Sequence, residues 1–187
     1  MSTIALCVVG TILYVIFRPA DSSEKVAREM LACVERGDGA CVNRLRWDAE
    51  KIRSSVSDQQ LTQFLRDHVG KRITLNEPAG ESKLETDGAI TTITREYRQG
   101  TLSFNVTFTG EKYQVVSPIT LLILNSAGAL DPKATGRNRG LLWVKDVEEH
   151  VEYFESLGIN GLELGPDDGF VTWKAWIASR REKLGQK

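Results

Sequence analysis

The sequence predicts an α+β chain: a single N-terminal transmembrane helix, then helices packed on a curved antiparallel sheet, then a C-terminal helical hairpin. Three features carry this expectation. The first is strict alternation: Leu102, Phe104, Val106 and Phe108 interleave with Thr101, Ser103, Asn105 and Thr107, which sets four apolar side chains on one face of a strand. Thr109-Gly110-Glu111-Lys112 reads as a turn, Tyr113 to Leu124 as a second and more apolar strand, and Ile90 to Tyr97 as a third, ending at Gln99-Gly100. The second is helical spacing, in which Val26, Met30, Cys33 and Val34 share a stripe beside Ala27 and Leu31 and supply cover for the apolar sheet face. The third is an apolar run from Ile4 to Phe17, broken only by Gly10, Thr11 and the Tyr14 hydroxyl.

Fourteen helical residues span roughly 21 Å, and Met1-Ser2-Thr3 bring the run to the lower limit for crossing a ~30 Å hydrocarbon core. A secretory signal is the competing reading. It wants a basic residue before the run and a small-x-small site after it, whereas nothing basic precedes Ile4 and Phe17-Arg18-Pro19-Ala20 follows. The flanks favour an uncleaved single-pass anchor over residues 1–18, a linker over 19–22 and a domain over 23–124. Orientation draws on opposed signals. Arg18, Lys25 and Arg28 follow the run, which by the positive-inside rule places the domain in the cytoplasm. Cys33 and Cys41 flank Glu35-Arg36-Gly37-Asp38-Gly39, read as a tight turn between helices, and residues bracketing such a turn come within disulfide reach, about 5.5 Å between Cα atoms. Two buried thiols would pack as small apolar residues. The facing placement favours the disulfide, and with it an oxidising, extracytoplasmic (periplasmic) side.

The 187 residues are 41% hydrophobic and 26% charged, with a net charge of −1. That length buries a substantial core, and a near-neutral chain with dispersed Lys and Arg disfavours nucleic acid as a partner. Along the chain, Ser23 caps the first helix and Gly37 ends it; Asp38 caps a short helix carrying Cys41, Val42 and Leu45; and Ser57 to Gln60 forms a capping box opening a helix with Leu61, Phe64, Leu65 and His68 aligned. Ile73–Glu77 and Lys83–Thr86 are candidate short strands. Residues 125–140, with three glycines and the basic Lys133, Arg137 and Arg139, read as a loop, either a solvated tether or an anion-binding segment. Residues 141–187 read as the helical extension: an apolar stripe of Val144, Val147, Val151, Phe154 and Leu157, then a last helix capped by Asp168 and lined by Phe170, Trp173, Trp176 and Ile177.

The order of helix, Gly-Asp turn, short helix, third helix and bent antiparallel sheet resembles the nuclear-transport-factor-like, cystatin-like cone superfamily. It is carried by Glu24 to Leu45, with Glu35-Arg36-Gly37-Asp38 at the turn, and by the strands of Ile90–Leu124, and it covers roughly residues 23–124. The resemblance implies a sheet wrapped around the long helix with a pocket between them. Its members include enzymes such as ketosteroid isomerase, ligand binders, and periplasmic domains of membrane-anchored assembly proteins such as those of type IV secretion systems, so the fold leaves function open.

Candidate site residues are few. The two histidines, His68 and His150, lie on different helices and fit no metal-ligand spacing. His68 on an inward stripe is a candidate general base, against the simpler reading of a packed histidine near a helix end. Tyr97 is a candidate oxyanion donor or, more simply, a packed strand tyrosine. No cofactor fingerprint appears. Phe170, Trp173 and Trp176 are candidate interaction residues, with packing onto the preceding helix as the alternative. The expectation is a membrane-anchored, non-enzymatic accessory or assembly subunit that meets the lipid bilayer and an integral membrane partner, docking through the sheet face and C-terminal helices. The alternatives are a tethered binder of a small apolar ligand and an isomerase- or dehydratase-like enzyme using His68 and Tyr97.

Overall fold

The computed structural model describes residues 22–163 and 169–185. Helix α1 (Ser23–Glu35) opens with the Ser22 hydroxyl accepting from the Lys25 amide and buries Val26, Ala27, Met30, Leu31, Cys33 and Val34. It ends in a Schellman turn: Gly37, at φ +65°, donates to the Val34 carbonyl and Asp38 to that of Cys33, both at 2.9 Å. The same Asp38 then caps α2 (Gly39–Leu45) through the Cys41 amide, so one tight turn reverses the chain and sets Cys33 beside Cys41. A Cβ on Gly39 would collide with the Asp58 carbonyl and the Thr62 amide, so α2 reaches the next helix only through a glycine. After α3 (Asp48–Arg53), helix α4 (Asp58–Phe64) starts on the Ser57/Gln60 capping box and continues through a π-helical segment (Leu65–Val69) into a closing turn (Gly70–Arg72).

Strands β1 (Lys83–Asp87), β2 (Ile90–Glu96), β3 (Thr101–Phe108) and β4 (Tyr113–Val116) form an antiparallel meander in that order. Ile93 pairs with Phe104 and Thr91 with Val106, so Ile93, Leu102, Phe104 and Val106 lie on one buried face, against which α1 packs. Thr92 with Asn105 and Thr94 with Ser103 form cross-strand hydrogen bonds on the other. Lys83, Glu85 and Asp87 charge the β1 edge, which discourages edge-to-edge pairing.

Downstream the structure departs from the sequence reading. The strand expected over Tyr113–Leu124 stops at Val116, where Ser117 turns left-handed (φ 51°) and Pro118 opens helix α5 (Pro118–Gly128). Ile119 to Leu124 is apolar except for Thr120 and buried on several sides, so its period cannot separate strand from helix; proline at the first helical position is the feature that decides. Most of the expected loop over 125–140 is helical as well, because α6 (Gly136–Ser156) begins at Gly136. Ile73–Glu77 is not a strand; only an isolated Pro78–Tyr97 bridge follows it. The C-terminal part is not a plain helical hairpin either: a two-stranded sheet of β5 (Gly161–Glu163) and β6 (Phe170–Thr172) separates α6 from α7 (Trp173–Lys183). Thr172, not Asp168, is the cap of α7; Asp168 lies outside the described residues. Val144, Val147, Phe154, Leu162, Trp173 and Trp176 join Met30, Phe64 and Phe104 in one buried cluster.

The single-pass architecture and the membrane localisation are corrected. Among the described residues no helix is long and apolar enough to cross a membrane. The apolar helix α5 has 11 residues, about 16 Å of rise, while α6, at 21 residues, carries Arg137, Arg139, Lys145, Asp146, Glu148 and Glu149 at a prohibitive transfer cost. The anchor expected over 1–18 lies outside the described residues.

Candidate functional site

The structure gives His68 and Tyr97 separate partners. His68 is buried, stacked on Phe64 with ring centroids 5.3 Å apart and edge-on to Phe154 at 4.9 Å. Its Nε2 faces the Arg72 guanidinium at 2.9 Å; Arg72 also reaches Nε2 of His150 at 3.1 Å and forms an ion pair with buried Asp146 at 2.6 Å. Because the guanidinium only donates, His68 accepts and is neutral; burial, then the Arg72 charge, then His150 push its pKa down to about 3. The carboxylate that would have made it a base is held by Arg72 instead. Tyr97 donates to Glu35 at 2.7 Å, and Arg95 pairs with the same oxygen at 2.8 Å. Burial and that carboxylate raise the phenol pKa, which makes Tyr97 a poor proton donor to anything but Glu35.

Beside Glu35 a cleft of about 430 Å³ opens between α1 and the sheet, lined by Arg28, Leu31, Ala32, Glu35, Glu81, Ser82 and Arg95. It is polar and open to the side. The space behind it, between Met30 and Val34 of α1 and Ile93, Phe104 and Val106 of the sheet, is closed by fully buried apolar side chains.

Cys33 and Cys41 form the disulfide, with Cα atoms 5.6 Å apart. Trp173 and Trp176 are buried: Trp173 donates from Nε1 to the Ile159 carbonyl at 2.9 Å and packs on Phe154, while Arg180 stacks over Trp176. They fasten α7 to the core, and Phe170 sits half-buried in β6 opposite Glu163. Lys133, Arg137 and Arg139 are exposed. Arg139 bonds the Ala134 carbonyl and lines a small recess of about 90 Å³ with Gly100, Asn125 and Trp143.

Two arrangements escaped the sequence reading. The first is a buried polar knot. Arg46, fully buried, donates to Glu163 at 3.0 Å and to Asn43 at 2.8 Å. Glu50, also buried, accepts from the Ser117 amide at 2.6 Å and from its hydroxyl at 3.2 Å, and the amide of Glu163 bonds Thr120. The two carboxyls interact: burial first and then Glu163 push Glu50 up to about 8, and burial raises Glu163. The knot ties the α2–α3 turn to α5 and to β5, but no solvent path reaches Arg46 for chemistry.

The second is an apolar surface at one end of the meander. Of the four large apolar side chains exposed among the described residues (Ile52, Ile90, Phe108 and Leu130), Phe108 stands there beside Tyr113 and Ile52 stands on the adjoining α3, whereas Ile90 lies on the opposite face of the sheet. The Phe108 ring meets that of Tyr113 at 5.3 Å across the β3–β4 turn, while Ile90, paired with Thr107, shares the opposite face with Thr92 and Asn105. From that turn Lys112 pairs with Asp48 at 2.9 Å, and Ile52, 88% exposed, lies one helical turn on from Asp48 along α3. Lys51 and Lys112 lower Asp48 to about 2, so the pair is charged across the physiological range. No pattern in the sequence joins residues 48–52 to 108–113; only the sheet register and the Asp48–Lys112 pair do so.

The chain matches no protein-family model, no curated protein and no solved structure.

Proposed function

We propose that this domain is a binding module, an accessory or assembly component that docks a protein partner through the Ile52–Phe108–Tyr113 end of the meander. The observation that carries this reading is the exposed Phe108 packed on Tyr113 at the β3–β4 turn, rimmed by the Asp48–Lys112 couple, with the exposed Ile52 one helical turn on from Asp48. Scattered exposed apolar residues need no explanation, but a contiguous patch with aromatic anchors and a polar rim has the make-up of a docking site. A binding role also accords with the way His68 and Tyr97 are each committed to a structural partner.

Cross-linking the full chain through Lys112 in its own cells, followed by mass spectrometry, tests this. One protein partner is expected at Lys112. Ile52→Ser with Phe108→Ser, two surface changes that leave the core cluster intact, should weaken its capture roughly tenfold or more. Undiminished capture by a double variant with unchanged circular dichroism would refute the site.

The cleft beside Glu35 supports a second reading, a small-ligand site. Its Arg28, Arg95, Glu35 and Glu81 lining suits a polar ligand bearing both charges rather than an apolar one. A screen of amino acids and small zwitterions by thermal shift should then give at least one hit that Arg95→Ala abolishes.

A further inference from the structure

We propose that Cys33–Cys41 is an exchangeable thiol–disulfide pair, in which Cys41 is the attacking thiolate and Cys33 the resolving thiol, and whose co-reactant is a small thiol or disulfide of the glutathione class. This goes beyond the docking role and rests on different residues. The two sulfurs are not equivalent. Cys41 keeps 8% of its surface exposed, whereas Cys33 has none. Two guanidinium groups converge on Cys41: Nη2 of Arg44 lies 3.4 Å from its Sγ and Nη2 of Arg36 lies 3.9 Å away, while only Arg36, at 3.8 Å, reaches Cys33. Neighbouring cations favour a thiolate, and the thiolate is the species that exchanges.

The carboxylates around the pair are each engaged by a donor, Glu29 by the same Nη2 of Arg44 that faces Cys41, so that cation is shared between the two. Asp38 accepts the Cys41 amide at 3.0 Å, Glu29 pairs with Arg44 at 2.8 Å, and Asp58, on the helix packed against α2, bonds Asn43 at 2.8 Å. Glu35 is taken by Arg95 and Tyr97.

In the oxidising direction the Cys41 thiolate attacks one sulfur of a disulfide RSSR; a Cys41–SR bond forms and RS⁻ leaves. Cys33 loses its proton to water and attacks Cys41 Sγ, the second RS⁻ leaves, and both take up protons. The net change is two protein thiols and RSSR to one protein disulfide and two RSH. Reduction by two RSH retraces these steps, entering at Cys41, the less buried of the two.

The test is the alkylation of the reduced, full-length wild-type chain by iodoacetamide across pH, read by peptide mass spectrometry. Cys41 should react first and, at pH 7, roughly tenfold faster than an unperturbed thiol, because the neighbouring guanidinium groups favour its thiolate. Arg36→Gln and Arg44→Gln together should return that rate towards the ordinary value, and Cys33→Ser treated with oxidised glutathione should trap one glutathione on Cys41. An ordinary thiol rate at Cys41 in the wild-type chain, or Cys33 reacting first, would overturn the proposal even if a variant failed to fold. A fast Cys41 whose rate the two arginine changes leave alone would overturn the assignment of its cause.

Discussion

Arg46→Met is expected to lower the unfolding free energy by about 3–5 kcal/mol at pH 8, read by urea denaturation followed by circular dichroism. The guanidinium lies in the interior between two carboxyls, bonded to Glu163 and Asn43, and burial already strains the ionisation of both acids. Removing it strands Glu163 beside Glu50 with no compensating cation in hydrogen-bond reach, and each buried charge left so costs several kcal/mol or takes up a proton. The loss should therefore shrink at pH 5, where a protonated carboxyl needs no counter-charge. Arg46→Met with Glu163→Leu should recover much of it, since an apolar pair of similar volume commonly matches a buried ion pair. A loss below 1 kcal/mol at pH 8 would mean that the knot is not desolvated.

The second large effect is the shape of the stability–pH curve. Glu50 is raised from 4.5 in the unfolded chain to about 8; the folded state holds the extra proton between those values, so stability falls as pH rises from 4.5 through 8. His68 moves the other way, from 6.5 to about 3. There the unfolded state holds the extra proton, so stability falls as pH drops from 6.5 through 3. The two slopes oppose each other between 4.5 and 6.5. The chain should show a plateau of maximum stability there and lose stability on both sides, each limb (pH 6.5 to 8 and pH 4.5 to 3) reaching on the order of 2 kcal/mol. Glu50→Gln keeps an oxygen for the Ser117 amide and adds a donor towards Glu163, whose second oxygen is buried without a partner. It should flatten the alkaline limb and leave the acid limb in place. A wild-type curve still rising from pH 6.5 to 8 would contradict the buried carboxyl pair.

What could be read in the sequence were features whose period or spacing has one physical meaning. The alternation of Thr101–Phe108 allowed only a half-buried strand, the Ser57/Gln60 box only a helix start, and the Gly37-Asp38 turn between Cys33 and Cys41 brought the two sulfurs together. The apolar run after Pro118 has no alternation and no polar face, so strand and helix fit it equally until the proline at its first turn is given weight. Phe170 reads as a helix residue beside Trp173, yet Thr172 caps α7 and leaves Phe170 to a short strand. The Arg46–Glu50–Glu163 knot spans more than a hundred positions of chain, as its Arg46–Glu163 bond shows, and nothing local announces a buried arginine. His68 was visible as an inward histidine, but its partner is Arg72 one turn on, whose role depends on Asp146 of a distant helix. The docking surface was invisible for the same reason: each of its residues is an ordinary apolar side chain until the sheet and the Asp48–Lys112 pair assemble them.

Carbene footprinting of the full chain, alone and in complex with its captured partner, tests the docking role most directly. Ile52, Phe108 and Tyr113 should label strongly in the free chain and lose most of that label together in the complex, while Ile90 on the opposite sheet face and Leu130, exposed elsewhere, stay unchanged. Equal labelling of the three residues in both states, with protection instead at Arg28 and Arg95 of the polar cleft, would contradict it.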